Sequence, residues 1–576
     1  GIPLFVEELT KTVLESELLV EQEDQYVLSG TLSDLAIPNS LQDSLMARLD
    51  NLAPVKEVAQ LASVIGRVFS EQLLAAVSPL EKGKLSNSLE ELIDAELIFK
   101  SGMPPNVIYE FKHALVQRAA YTSLLKSTRH RHHLRIAETL EENFPDIVET
   151  EPEILAHHYT AAETFDKAAA YWQIAGQRAS TRWAYKEAIG HLELGLEAIE
   201  KLPESDDRAA LEVELLTELV AGQRILDRFD DAFETLDRAE KIATQYDHFE
   251  DLALIHYFRG SIYFPLGNIE RCLEEHELAR QNARKANSPE NEARALSGLA
   301  DANFLRGHLI SANEHFGECL SLIQENNLSW NISSNLAMFG HTKLYLLDLE
   351  NGLKDTQEAV DIAVAANNLR GEMIARGSCG AKILFDLARY DEAQEQCEQA
   401  LEIAQRLGAH RFEPVNYVIL AKIHALKGDV DKAIEIAQQG VETSHKTAFK
   451  YTGPMALGAL AAVSTDTELI YQAFAEAEET LKEDCVGHNY LWFYRDAIDV
   501  CLRLEDWDNL EKYARAAEDY TQDEPLPWMD ILIARGRGLS AFHQNPKDQK
   551  ALKNLADIKS KLLAAKFISI LPAIDE

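Results

Sequence analysis

The chain has 576 residues, 46% of them hydrophobic and 26% charged, ordinary values for a folded protein that argue against gross disorder. Its 56 Lys and Arg face 95 Asp and Glu, a formal charge of −39. Residues 1–150 already hold 13 basic and 23 acidic residues, so the charge is an evenly spread acidic surface that repels DNA, RNA and anionic membranes.

No apolar run approaches the roughly 20 residues of a membrane-spanning helix. The longest, PMALGALAAV at 454–463, reads as a buried helix. The six cysteines form no CxxC pair, which fits free thiols in a reducing cytoplasm.

In chain order, GIPLFVEEL opens the sequence without an initiator Met or a capping residue. IPNSLQDSLMARLDNL (37–52) starts at a Pro and an Asn-Ser cap and then shows helical apolar spacing. VKEVAQLASVIGRVF (55–69) predicts a second helix and LSNSLEELIDAELI (85–98) a third. LIFK and VIYEF then flank an SGMPPN turn, which predicts a β-hairpin. Three helices and a hairpin read as a winged helix. The predicted third helix carries four carboxylates and no base, which disfavours DNA as its partner. Residues 129–135 hold a short basic cluster with His130, His132 and His133. Adjacent histidines diverge by about 100° on a helix, and no further Cys or His stands at ligand spacing, so a metal role is weakly supported there and at His157–His158.

From about residue 165 a phrase recurs. Its small residues are Ala188, Ala232, Cys272, Ala312, Gly352, Ala393 and Ala433, spaced by 44, 40, 40, 40, 41 and 40. Twelve residues before each stands Gly176, Val220, Gly260, Ala300, Gly340, Ala381 or Ala421. Each unit is therefore two helices whose small residues permit close approach, with Leu192, Leu236 or Phe316 plugging the gap. One such pair cannot bury its apolar face alone, so neighbours must stack. Weaker copies follow near Ala473 and Leu510.

This pattern resembles the tetratricopeptide repeat (TPR), carried by Gly176, Tyr185, Ala188, Gly195, Gly260, Tyr263 and Gly267. Its units are about six residues longer than usual and mostly lack the closing Pro, which suggests a wide superhelix. The resemblance implies a protein or peptide bound in a concave groove. The fold class is all-α dominated, a winged-helix-like domain followed by a TPR α-solenoid.

GIPLFVEEL, IPNSLQDSLMARLDNL, AQLASVIGRVFS, IYEFKHALVQRAAYTSLL and LAHHYTAAETFDKAAAYWQIAGQRA occur in this order. The series resembles the part downstream of the nucleotide-binding core in bacterial STAND ATPases (signal-transduction ATPases with numerous domains), especially those fused to class III adenylate or guanylate cyclases. The resemblance divides the chain into a lid tail (1–36), a winged helix (37–125), connecting helices (126–164), the repeat array (165–525) and C-terminal capping helices (526–576). It places Pro3 near the adenine and makes His113 the imidazole that senses nucleotide phosphates. The family usually has Asn where Ile2 stands and an acidic residue where Arg118 stands. His113 read from its own position alone is equally a cap for the following helix.

No GxxxxGK[ST], HExxH or GxSxG occurs, so the chain itself is expected to hold no catalytic site, cofactor or metal. ATP or ADP with Mg would belong to a core preceding Gly1, as would any fused cyclase output. The competing readings are a free-standing TPR scaffold without nucleotide dependence, and a transcription regulator that the acidic surface argues against.

Overall fold

The computed structural model describes residues 19–22, 25–28, 46, 49–50, 52–483, 485–571 and 574. The chain divides into two compact units, residues 1–242 and 243–576. Pro3 and nearly all of the helix expected over 37–52 lie outside the described residues.

In the first unit, strands β1 (Leu19–Gln22) and β2 (Gln25–Leu28) pair antiparallel. A helix over Ala53–Ile65 leads into β3 (Val68–Ser70), then helices Glu71–Val77 and Lys82–Asp94, then β4 (Ile98–Ser101) and β5 (Ile108–Phe111). The three strands form one antiparallel sheet in the order β3-β5-β4. The hairpin follows the sequence pattern, but β3 and the helix after it were not anticipated. Residues 67–69 sit at the end of an apolar helical run, and only Phe69, stacked 5.7 Å from Tyr109, is buried there. Ser70 caps the next helix by accepting from the Leu73 amide. The third helix also starts earlier than expected and includes Lys82 and Lys84 beside Glu90, Glu91 and Asp94. Contrary to the expectation from 85–98, this helix does carry bases, both in its first turn.

Helices Lys126–Asn143, Pro152–Ala161, Phe165–Thr181 and Tyr185–Ile199 continue the unit. Glu141 ties three of them by accepting from Tyr159, Lys167 and Tyr171.

The second unit is a stack of antiparallel helix pairs from Phe249–Tyr263 with Ile269–Ala286 to Pro527–Gln544 with Gln549–Ala565. All fourteen residues that define the period, thirteen of them small and the other Val220, are buried. Gly340 and Gly352 show why size matters: a Cβ on either would stand 2.6 Å from the carbonyl oxygen of the other. Left-handed residues end the first helix of successive pairs at Asp227, Gly267, Gly307, Leu347, Ala388 and Gly428. Others end the second helix at Asp247, Asn287, Asn327, Asn367 and Gly408. These terminations recur at the repeat period and turn the chain sharply enough to reverse it.

One repeat is a residue longer, as the 41-residue spacing shows. The extra residue is absorbed between Leu369–Met373 and Ala381–Asp386 by a π-helical stretch, Ile374–Gly380.

Candidate functional site in the interior of the second unit

His113 stands between β5 and the helix Ala114–Thr122, at that helix's N-cap position. Its carbonyl accepts from the Val116 amide, but its side chain makes no capping hydrogen bond. Its Nε2 is buried and has no hydrogen-bond partner among the described residues. The following helix is tied down by Gln117, whose amide donates to the Ser63 carbonyl at 2.8 Å. The capping role is thus not what this imidazole does.

The structure joins histidines that spacing kept apart. Tyr121 Oη lies 3.0 Å from His133 Nε2, and His133 Nδ1 lies 2.8 Å from His158 Nδ1. Tyr121 donating to His133, and His133 Nδ1–H donating to His158, satisfies this chain with both rings neutral. Burial, then the neighbouring histidines, pushes His133 down to about 4 and His158 to about 3. No group of three or more His, Cys, Asp or Glu able to hold a metal occurs among the described residues.

The densest polar arrangement lies along the axis of the second unit. The residue after the small residue of each first helix is Ser261, Asp301, His341, Lys382 and Lys422. Helix Gly487–Arg503, two pairs beyond the last of these, meets this line. Its Trp492 donates to Tyr345 Oη at 3.0 Å, and Trp528 meets the same tyrosine edge-on at 5.4 Å. Arg495 forms a two-bond pair with Asp386, at 2.7 and 3.1 Å, and both are buried. Ser569 Oγ and the Ile568 amide also donate to Asp386, at 2.8 Å each, so the chain's last segment closes on the same residue. Lys422 pairs with Asp496 at 2.5 Å.

Lys382 is 3% exposed yet faces the Trp492 ring, 5.3 Å from its centre, with no carboxylate or hydrogen-bond partner among the described residues. Burial pushes its ammonium down to about 8. His341 beside it is 2% exposed, and neither ring nitrogen has a partner among the described residues. Burial, then Lys382, holds it well below the usual histidine range. Burial raises Asp301 to about 7.

The wide superhelix expected from the long units is therefore not what the second unit forms. One hydrophobic core takes in residues from Ala300 to Leu571, so helices early and late in the unit share it. Tyr520 donates to the Arg306 carbonyl at 2.8 Å, and Glu524 accepts from the Ile310 amide at 2.7 Å. A separate cleft of about 580 Å³ lies between Leu353, Leu384, Arg389 and Ile568. It is crossed by the Lys566–Glu350 ion pair. The sequence signal for the axial site was available: His341 and Lys382 follow small residues already aligned by the period.

Residues 381–444 match the tetratricopeptide repeat family model. An uncharacterized protein of Rhizobium meliloti (strain 1021) is 30% identical over 223 residues, which is 38% of this chain and 21% of that protein. The chain thus spans about a fifth of the length of the curated relative it matches. Among solved structures, a Rap protein complexed with competence and sporulation factor aligns with a TM-score of 0.48 and 14% identity, over 62% of this chain and 98% of that one. A STAND protein with a tetratricopeptide repeat sensor from Pyrococcus horikoshii aligns with a TM-score of 0.40 and 13% identity, over 78% and 68%. The fold is all-α dominated with a TPR-type solenoid, and no described helix is long and apolar enough to cross a membrane.

Proposed function

We propose that this chain is the sensing and protein-binding part of a STAND-type signalling ATPase. Its repeat array receives a protein or peptide, and a winged helix over 37–125 relays the event to a nucleotide-binding core outside the chain. That core would hold ATP or ADP with Mg, and a nucleotidyl cyclase is the proposed output. Residues 1–36 end the lid, 126–164 connect, 165–525 form the array and 526–576 cap it.

The order helix, strand, two helices, two strands over 53–111 supports the winged-helix assignment. His113 carries the relay reading. An imidazole nitrogen that is buried and unpartnered is costly, and a nucleotide phosphate from another domain is a suitable acceptor. A partner switches such a device only by binding one state better than the other.

The test uses a protein that retains the core. His113→Ala should speed ADP release at least about tenfold, the loss of one charge-assisted hydrogen bond. An unchanged ADP off-rate would refute the relay role.

A further inference from the structure

We infer that the axis of the second unit is a binding site for a small oxyanion, a carboxylate or phosphate group, held by Lys382 and His341. Three cations surround the Trp492 ring: Lys382 and Lys422 at 5.3 Å and Arg495 at 4.9 Å from its centre. Two carboxylates, Asp386 and Asp496, neutralise Arg495 and Lys422. Arg535 has its own partner, Asp499. One positive charge is left over, on Lys382, and an uncompensated buried charge is among the most costly groups in a protein interior. His341, on the neighbouring first helix, adds two buried ring nitrogens without partners among the described residues. An oxyanion compensates the Lys382 charge and accepts from the one N–H that a neutral His341 carries.

The backbone bears on the same place. The single extra residue of this repeat is taken up in the π-helical stretch Ile374–Gly380, which ends just before Lys382, and such bulges are frequent at functional sites. The groups set against the pair are Phe304 and Tyr345 on His341, Cys397 and Trp492 on Lys382, His488 on His341, and Cys379 from the preceding turn of Lys382's own helix. None of these groups is a carboxylate.

The closure of the axis decides the size of the ligand. Trp492 and Trp528 touch Tyr345 across it, and Gly487 packs so closely on Gly307 that a Cβ would fall 2.6 Å from its amide nitrogen. These contacts close the axis to an extended polypeptide, so a protein partner of the array lies outside it and a ligand here is limited to a small group. This site is independent of the relay through His113.

The experiment is thermal melting of the whole chain against inorganic phosphate and against acetate, with sodium chloride at equal ionic strength as control. Phosphate, acetate or both should raise the melting temperature beyond the chloride control. Response to phosphate alone identifies a phosphorylated ligand, and response to acetate a carboxylate. Lys382→Met should lose the response, weakening binding at least about tenfold, while melting no lower than wild type without probe. His341→Leu, which introduces no charge, should weaken the response also and serves if Lys382→Met fails to fold. No response beyond chloride in the wild type, or a full response in the variants, overturns the site.

Discussion

At the residue scale, the His133–His158 pair makes the strongest pH prediction. Both rings are neutral in the fold, pushed to about 4 and about 3, while an unfolded histidine takes up its proton near 6.5. The unfolded chain therefore binds more protons below that pH. Stability is complete above about pH 6.5 and falls as pH drops toward 4, by about 1.4 kcal/mol per pH unit for each ring. Urea unfolding of the first unit at pH 7, 6 and 5 reads this directly, and His158→Phe should flatten the dependence. A pH-independent midpoint would contradict the neutral pair. These histidines were visible as RHRHH and AHHY, but their meeting was not. Periodicity assigns a face within one helix, whereas the contact depends on how Lys126–Asn143 and Pro152–Ala161 pack. His113 was legible by resemblance, and its unpartnered nitrogen became visible only with the sheet and helix around it.

At the element scale, the helix pairs were legible because small residues at a fixed period leave few alternatives to stacking. The single lapse to 41 residues was printed in the same series and marks the π-helical stretch, since one inserted residue within a helix must bulge. β3 was missed because three residues carry too little alternation to separate them from the helix before them. The turns offer a prediction against intuition. Gly428 and Ala388 occupy the same repeat position, both left-handed, at φ of 84° and 59°. An alanine there bears steric strain that glycine avoids, at some entropic cost in the unfolded chain. Ala388→Gly should raise stability by about 0.5–1 kcal/mol in urea unfolding, and Gly428→Ala should lower it by a similar amount. A loss of stability in Ala388→Gly would show that its methyl group packs more usefully than its backbone is strained.

At the scale of the molecule, repeat arrays ordinarily gain stability only from neighbouring units, so damage stays local. The second unit departs from that rule. Helix Pro289–Arg306 meets helix Gly487–Arg503 across five pairs, and Glu524 takes the place of a cap on helix Leu309–Glu325 by accepting from the Ile310 and Ser311 amides. Trp528 is fully buried and touches both Tyr345 and Trp492. Trp528→Ala should cost about 3–5 kcal/mol, as the loss of a large core side chain does. Where the loss appears is the informative part. Hydrogen exchange should quicken in Ile332–Tyr345 as well as in Pro527–Gln544, although nearly two hundred residues separate them. In a linear array the change would fade within one repeat of Trp528 and leave Ile332–Tyr345 untouched. Long-range loss would mean that the axis unfolds as one body, and hence that an anion held at Lys382 would stabilise every helix that lines it.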